Sequence, residues 1–144
     1  MGRRLGEVME GGELALMVGD LGAGKTCMTQ GIAWGLGVDE YARSPTFVLV
    51  SEYEGRHTLF HADLYRVDDP LEIEDLGLDE TYGGGGECVI EWAEKADSLL
   101  PPDHLRITFT VTGPEERVVE LRAGGPKHLA LLERLGEVDL GRGG

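Results

Sequence analysis

The run Gly19-Asp20-Leu21-Gly22-Ala23-Gly24-Lys25-Thr26 fits the pattern G-x-x-x-x-G-K-[ST] at every fixed position. Glycines let successive backbone N–H groups turn inward with no side chain in the way, which makes a concave nest for phosphate oxygens. A helix starting directly after the loop adds the positive end of its dipole. In such a loop Lys25 supplies a mobile point charge for the β- and γ-phosphates, and the Thr26 hydroxyl is a ligand for Mg²⁺. Gly19 through Thr26, with Cys27 at its edge, is therefore the expected nucleotide-binding stretch. The bland alternative is a glycine-rich turn that merely joins two elements.

A phosphate loop hydrolyses nothing alone. The metal needs an acid at the end of a neighbouring strand, and the attacking water needs an orienting group. Cys88-Val89-Ile90 reads as a buried strand with Glu91 at its C-terminal end, where ligands bind in open α/β sheets. Glu91 is the leading second metal group; the plain alternative is a solvated strand-end glutamate. Trp92 beside it can pack, stack on a base or touch a partner. In His61-Ala62-Asp63-Leu64-Tyr65-Arg66, strand parity puts His61, Asp63 and Tyr65 on one face. Asp63 either orders water or metal there or pairs with a cation such as Arg66. Ser44-Pro45-Thr46 lies where a loop can carry a hydroxyl to the γ-phosphate, though a plain turn has the same composition.

These groups need a scaffold, and the flanking patterns supply one. Glu13 to Val18 is a short apolar run ending at Gly19, the signature of a strand buried on both faces. After the loop, Met28, Ile32 and Leu36 recur at helical spacing, with Gly35 and Gly37 as a C-terminal stop. Phe47 to Tyr53 and Thr58 to Tyr65 predict one hairpin. Leu105 to Thr112 and Arg117 to Arg122, around Gly113-Pro114, predict a second. Asp69-Pro70-Leu71-Glu72 carries a cap, a first-turn proline and an acid for a short helix through about Leu76. One or two helical turns are expected between Glu94 and Leu100. A last helix from Pro126 carries Leu129, Leu132 and Leu135 and is expected to end at Gly136. Strand, glycine loop and helix open an α/β unit. The expected fold is one α/β P-loop domain over residues 1–136, with a mixed, mainly parallel-cored sheet, β-hairpins and flanking helices, and a flexible tail over 137–144.

Composition narrows the function. The chain has 144 residues, enough for a core without staples, and 13 Lys+Arg against 27 Asp+Glu give a formal charge of −14. That balance argues against a free-standing nucleic-acid binder, which needs clustered cations, and against a polybasic hold on lipid. Cys27 and Cys88 form no disulfide framework, no signal-peptide pattern opens the chain, and no apolar run reaches bilayer length, so a cytoplasmic protein off the membrane is expected. His57, His61, His104 and His128 make no zinc spacing with the cysteines. The chain has no asparagine, hence no Asn-Lys-x-Asp guanine signature, which points to ATP over GTP.

Taken together, the blocks GDLGAGKT (Gly19–Thr26), SPTF (Ser44–Phe47), HADLYR (His61–Arg66), Gly77-Leu78-Asp79-Glu80 and Ile90-Glu91-Trp92 resemble the TsaE (YjeE) family, small bacterial P-loop ATPases of tRNA threonylcarbamoyladenosine synthesis. The resemblance runs from Leu14 to about Leu121. It implies that Thr26 and Glu91 hold Mg²⁺, that Thr46 lies in a switch-like segment near the γ-phosphate, that Asp63 serves hydrolysis and that Trp92 is functionally sensitive. It also implies the partners TsaB and TsaD, with tRNA reached only through them. Cys27 stands where a second threonine is common, and Ala93 where a proline usually follows Ile-Glu-Trp. Only 18 residues precede Gly19, so the adenine contacts stay unassigned. Two other readings share the loop: a small-molecule kinase, for which no arginine-bearing lid segment is evident, and a nucleotide-gated interaction module with little hydrolysis of its own.

Overall fold

The computed structural model describes residues 2–19, 25–39, 50–64, 84–93, 100–114 and 116–138. Its centre is a six-stranded sheet. In chain order the strands are β1 (Leu14–Val18), β2 (Val50–Tyr53), β3 (Leu59–Asp63), β4 (Glu87–Glu91), β5 (Leu105–Val111) and β6 (Arg117–Ala123). Their order across the sheet is β2-β3-β4-β1-β5-β6. The four inner strands run parallel, and antiparallel β2 and β6 close the two edges. The outer pairs are the two predicted hairpins. Apolar composition selects the central position: Leu14, Ala15, Leu16 and Met17 of β1 and Cys88, Val89 and Ile90 of β4 are all buried. Strand β5 alternates instead, with Leu105, Ile107 and Phe109 turned inward.

Two apolar layers cover the sheet. On one face Ala15, Met17, Leu59, Val89 and Ile107 pack with the helices; on the other Leu14, Leu16, Ala62, Leu64, Cys88, Ile90 and Ala93 form a smaller core. Among the described residues the helices are α1 (Gly2–Val8), α2 (Lys25–Gly35) and α3 (Pro126–Val138). Helix α2 carries the expected stripe, since Met28, Ile32 and Leu36 are all buried.

Helix α1 was not anticipated, because its seven residues hold two arginines and a glutamate and show little periodicity. Close approach to α2 holds it. A Cβ at Gly2 would stand 2.7 Å from Met28 O, one at Gly31 3.0 Å from Arg3 N, and Gly6 and Gly35 face backbone atoms still more closely. Glycines at fourfold spacing on both helices let the two backbones touch. Gly35 therefore serves the interface rather than the stop; Gly37, at φ +83°, makes the left-handed turn. Arg56 ties the helix ends together: its guanidinium donates to Gly6 O (2.8 Å), Met9 O (3.1 Å), Glu7 O (3.3 Å) and Gly35 O (3.2 Å).

One expectation for the last helix needs correction. It continues through Gly136 to Val138, because no left-handed residue interrupts it there. Its buried face is His128, Leu131 and Leu135, while Leu129 is exposed. The cause is its start. Asp103, from the segment before β5, accepts the N–H groups of Lys127 (3.1 Å) and His128 (3.3 Å), and the His128 ring reaches Leu14 N of β1 (2.9 Å). This anchoring rotates the helix so that His128, not Leu129, faces the sheet. The expected helices around residues 69–76 and 94–99 lie outside the described residues, as do residues 139–144. No helix among the described residues is long and apolar enough to cross a membrane.

Candidate active site

Connectivity places the site. After β1 the chain moves toward the β3 side of the sheet, and after β4 toward the β5 side, so the outgoing connections of these neighbours diverge. Crevices open at such points beyond the carboxyl ends of the strands. Strand β1 delivers Gly19 to this edge. Its φ is +151°, and a Cβ there would stand 2.8 Å from Phe109 O of β5, so only glycine fits. Helix α2 begins six residues on, at Lys25, so the predicted strand and helix flank the motif.

Lys25 is only 5% exposed. Its Nζ donates to Gly19 O at 2.7 Å and lies 3.5 Å from the centroid of the Trp92 ring. The ammonium thus closes the loop on itself, with an aromatic face supporting the charge. Trp92 reaches that position at φ +60°, a left-handed conformation that is costly for a bulky side chain, about 1–3 kcal/mol. Of the uses open to Trp92 in the sequence, packing is found, against the smaller core, and the ring also meets the loop lysine.

The two predicted acids come together. Asp63 ends β3 and Glu91 ends β4, and they are register partners in adjacent parallel strands. On its other side Glu91 is paired with Met17 of β1. Both carboxylates therefore sit at the same sheet edge as Lys25. Glu91 is 3% exposed, which removes the reading as a solvated strand-end residue. Its Oε2 is bonded to His61 Nε2, and His61 is wholly buried. Sequence parity put His61 beside Asp63 but assigned it nothing; burial of a histidine two register pairs behind an acid is a signal only pairing reveals.

The remaining predicted site residues divide by position. Thr26 is the second residue of α2, and Cys27 follows it, exposed to solvent. Asp20, Leu21, Gly22, Ala23, Gly24, Ser44 and Thr46 lie outside the described residues.

At the opposite end of the sheet sits a second acidic pair, and here both members are buried. Glu13 precedes β1 and accepts Glu10 N (2.8 Å), Gly11 N (3.0 Å) and Arg134 Nη2 (2.6 Å). Glu87 opens β4, fully buried, and neither of its oxygens meets a donor among the described residues. Burial, then the neighbouring Glu13 carboxylate, push the Glu87 carboxyl up to about 9. The direction of that shift favours the protonated form of Glu87 beside the Glu13 carboxylate.

Comparison with known proteins gives the family and the fold. The family described as "Threonylcarbamoyl adenosine biosynthesis protein TsaE" matches residues 1–119. The chain belongs to the TsaE family. The TsaE of Bacillus subtilis is 43% identical over 129 residues, which cover 89% of this chain and 80% of that protein. The TsaE of Treponema pallidum is 41% identical over 118 residues, 82% of this chain and 87% of that one. The crystal structure of Bacillus subtilis YdiB superimposes with a TM-score of 0.80 at 34% identity, covering 96% of this chain and 86% of that chain. The TsaE match begins at residue 1 and so takes in α1, ahead of the blocks that carry the resemblance in sequence.

Proposed function

We propose that this TsaE-family chain is a Mg²⁺-dependent ATP-binding and ATP-hydrolysing subunit that supports synthesis of N6-threonylcarbamoyladenosine at position 37 of tRNA, together with TsaB and TsaD. The observation that carries the reading is the convergence of Lys25, Asp63 and Glu91 at one edge of the parallel core.

The donor set fits magnesium. Glu91 and the Thr26 hydroxyl are hard oxygen ligands, and among the described residues no three His, Cys, Asp or Glu side chains make a closed cage. Mg²⁺ prefers this sparse protein contribution, since it keeps waters and shares phosphate oxygens. Once bound, it neutralises charge on the β- and γ-phosphates. The chain's own residues do the rest. Lys25 leaves Gly19 O and the Trp92 face to meet phosphate, and the N–H groups of the glycine loop hold the oxygens in place. Asp63, at the end of the adjacent strand, orients the attacking water. Ser44 and Thr46 are proposed to bring hydroxyls to the γ-phosphate side, and Cys27 to border the nucleotide stretch.

Partner dependence follows from charge and from Lys25. A net charge of −14 suits docking on proteins rather than gripping tRNA, and a lysine already engaged within its loop favours activity gated by partners. A tRNA-modifying role of this kind belongs in the cytoplasm. The test is ATP turnover by the isolated chain and with TsaB and TsaD. Slow turnover alone and faster turnover with both is the expected result. Full-rate turnover alone would remove the gating, and no turnover under either condition would remove the ATPase assignment.

A further inference from the structure

His61 is a buried polar group that the proposed reaction leaves without a role. It lies in β3 opposite Val89, two register pairs before Asp63 and Glu91, and all four side chains share one pleat face. Its neighbours on that face are apolar: Leu59, Val89, Ala15 and Met17 belong to the main core. An aliphatic residue would fill such a place at no desolvation cost, whereas an imidazole must satisfy two nitrogens. Only one is satisfied. Nε2 meets Glu91 Oε2, and Nδ1 has no partner among the described residues. A bare lone pair is the lesser penalty for the unpartnered nitrogen, so the hydrogen sits on Nε2 and is donated to Glu91. The ring thus spends its whole polar capacity on one carboxylate oxygen.

We propose that His61 is a positioning residue: its Nε2–H holds Oε2 of Glu91 and so presents the other oxygen to the cation that accompanies the nucleotide. The proposal rests on the magnesium-nucleotide reading above. Glu91 ends its strand, where backbone pairing alone leaves the side-chain torsions unset. A donor fixed in the core of the next strand sets them. Strand pairing makes the arrangement rigid, because Leu64 N, just past β3, donates to Glu91 O at 3.1 Å and ties the two strand ends together. Outer-shell partners that orient a ligand typically change metal affinity by about 10- to 100-fold.

Two variants of similar volume separate positioning from packing. His61→Leu fills the space without a donor, and His61→Gln keeps an N–H. The measurement is affinity for a fluorescent ADP analogue, in Mg²⁺ and in EDTA, with thermal melting alongside. The wild type should bind more tightly in Mg²⁺. His61→Leu should lose about tenfold of that gain while its affinity in EDTA is unchanged, and His61→Gln should recover most of it. A full Mg²⁺ gain in His61→Leu would overturn the positioning role, as would an equal loss in Mg²⁺ and EDTA by both variants. A wild type that gains nothing from Mg²⁺ would refute the proposed function itself, and the role of His61 with it.

Discussion

Glu87→Gln isolates a carboxyl whose burial is costly. The Glu87 carboxyl is held protonated up to about pH 9, against 4.5 in an unfolded chain, by burial and then by Glu13. Between those values the unfolded chain releases a proton that the folded chain keeps, so stability falls as pH rises. Each pH unit in that window costs about 1.4 kcal/mol, and three units, from pH 5 to pH 8, cost about 4 kcal/mol. Glutamine has nearly the same shape, still offers Glu13 an N–H and never ionises. The variant should therefore be slightly more stable than the wild type at pH 5 and several kcal/mol more stable at pH 8. Urea unfolding at both pH values, followed by far-UV circular dichroism, measures the difference directly. Titrating groups remote from Glu13 and Glu87 cancel between the two proteins. Equal pH slopes, or a variant less stable than wild type at pH 8, would refute the protonated state of Glu87 beside Glu13.

Other consequences concern the frame around the site. Gly35→Ala should destabilise by about 3 kcal/mol, since its Cβ meets the α1 backbone, while Gly136→Ala, with open space around it, should stabilise by about 0.5–1 kcal/mol; denaturant melts of the pair check both signs. Arg56→Ala should cost about 2 kcal/mol by freeing carbonyls at the ends of α1 and α2, and Arg56→Lys should recover only part, because one ammonium cannot span the four acceptors. Burial holds the His128 imidazole below its usual 6.5 against the opposing pull of Asp103, and its Nε2 accepts Leu14 N–H. The stability it contributes is complete above pH 6.5 and is lost as pH falls through the lowered value. Burial raises the Asp103 carboxyl, but the His128 ring and the N–H groups of Lys127 and His128 outweigh it and hold it below 3.8, so it works in the same direction at lower pH. His128→Gln should flatten the upper part of that acid limb in pH-dependent melts.

What the sequence disclosed follows from the range of the forces involved. The parallel core, both hairpins and the strand-loop-helix unit were readable because buried runs, alternation and glycine spacing are local patterns. Lys25, Asp63 and Glu91 were readable because one motif and two strand ends fix them. Partnerships across the fold were not. His61 with Glu91, Lys25 with Trp92, and Glu13 with Glu87 and Arg134 join residues far apart in the chain, and no spacing encodes them. Helix α1 escaped for a related reason: its glycines look like helix breakers until α2 presents Gly31 and Gly35 to them. The register of α3 turned on Asp103, more than twenty residues before its first turn, so the spacing of its leucines did not show that His128 faces inward and Leu129 outward.

The central claim is that Gly19 to Thr26 is a working phosphate loop whose charge is Lys25. Titration of wild type and Lys25→Ala with Mg²⁺ and ATP, read by calorimetry, tests it most directly. The wild type should bind ATP, and the variant should bind about a hundredfold more weakly or below detection, as expected for loss of a principal phosphate contact. The variant should still melt cooperatively, only slightly lower, because it loses the Gly19 and Trp92 contacts of one side chain. A folded Lys25→Ala protein that binds ATP as tightly as wild type would contradict the account.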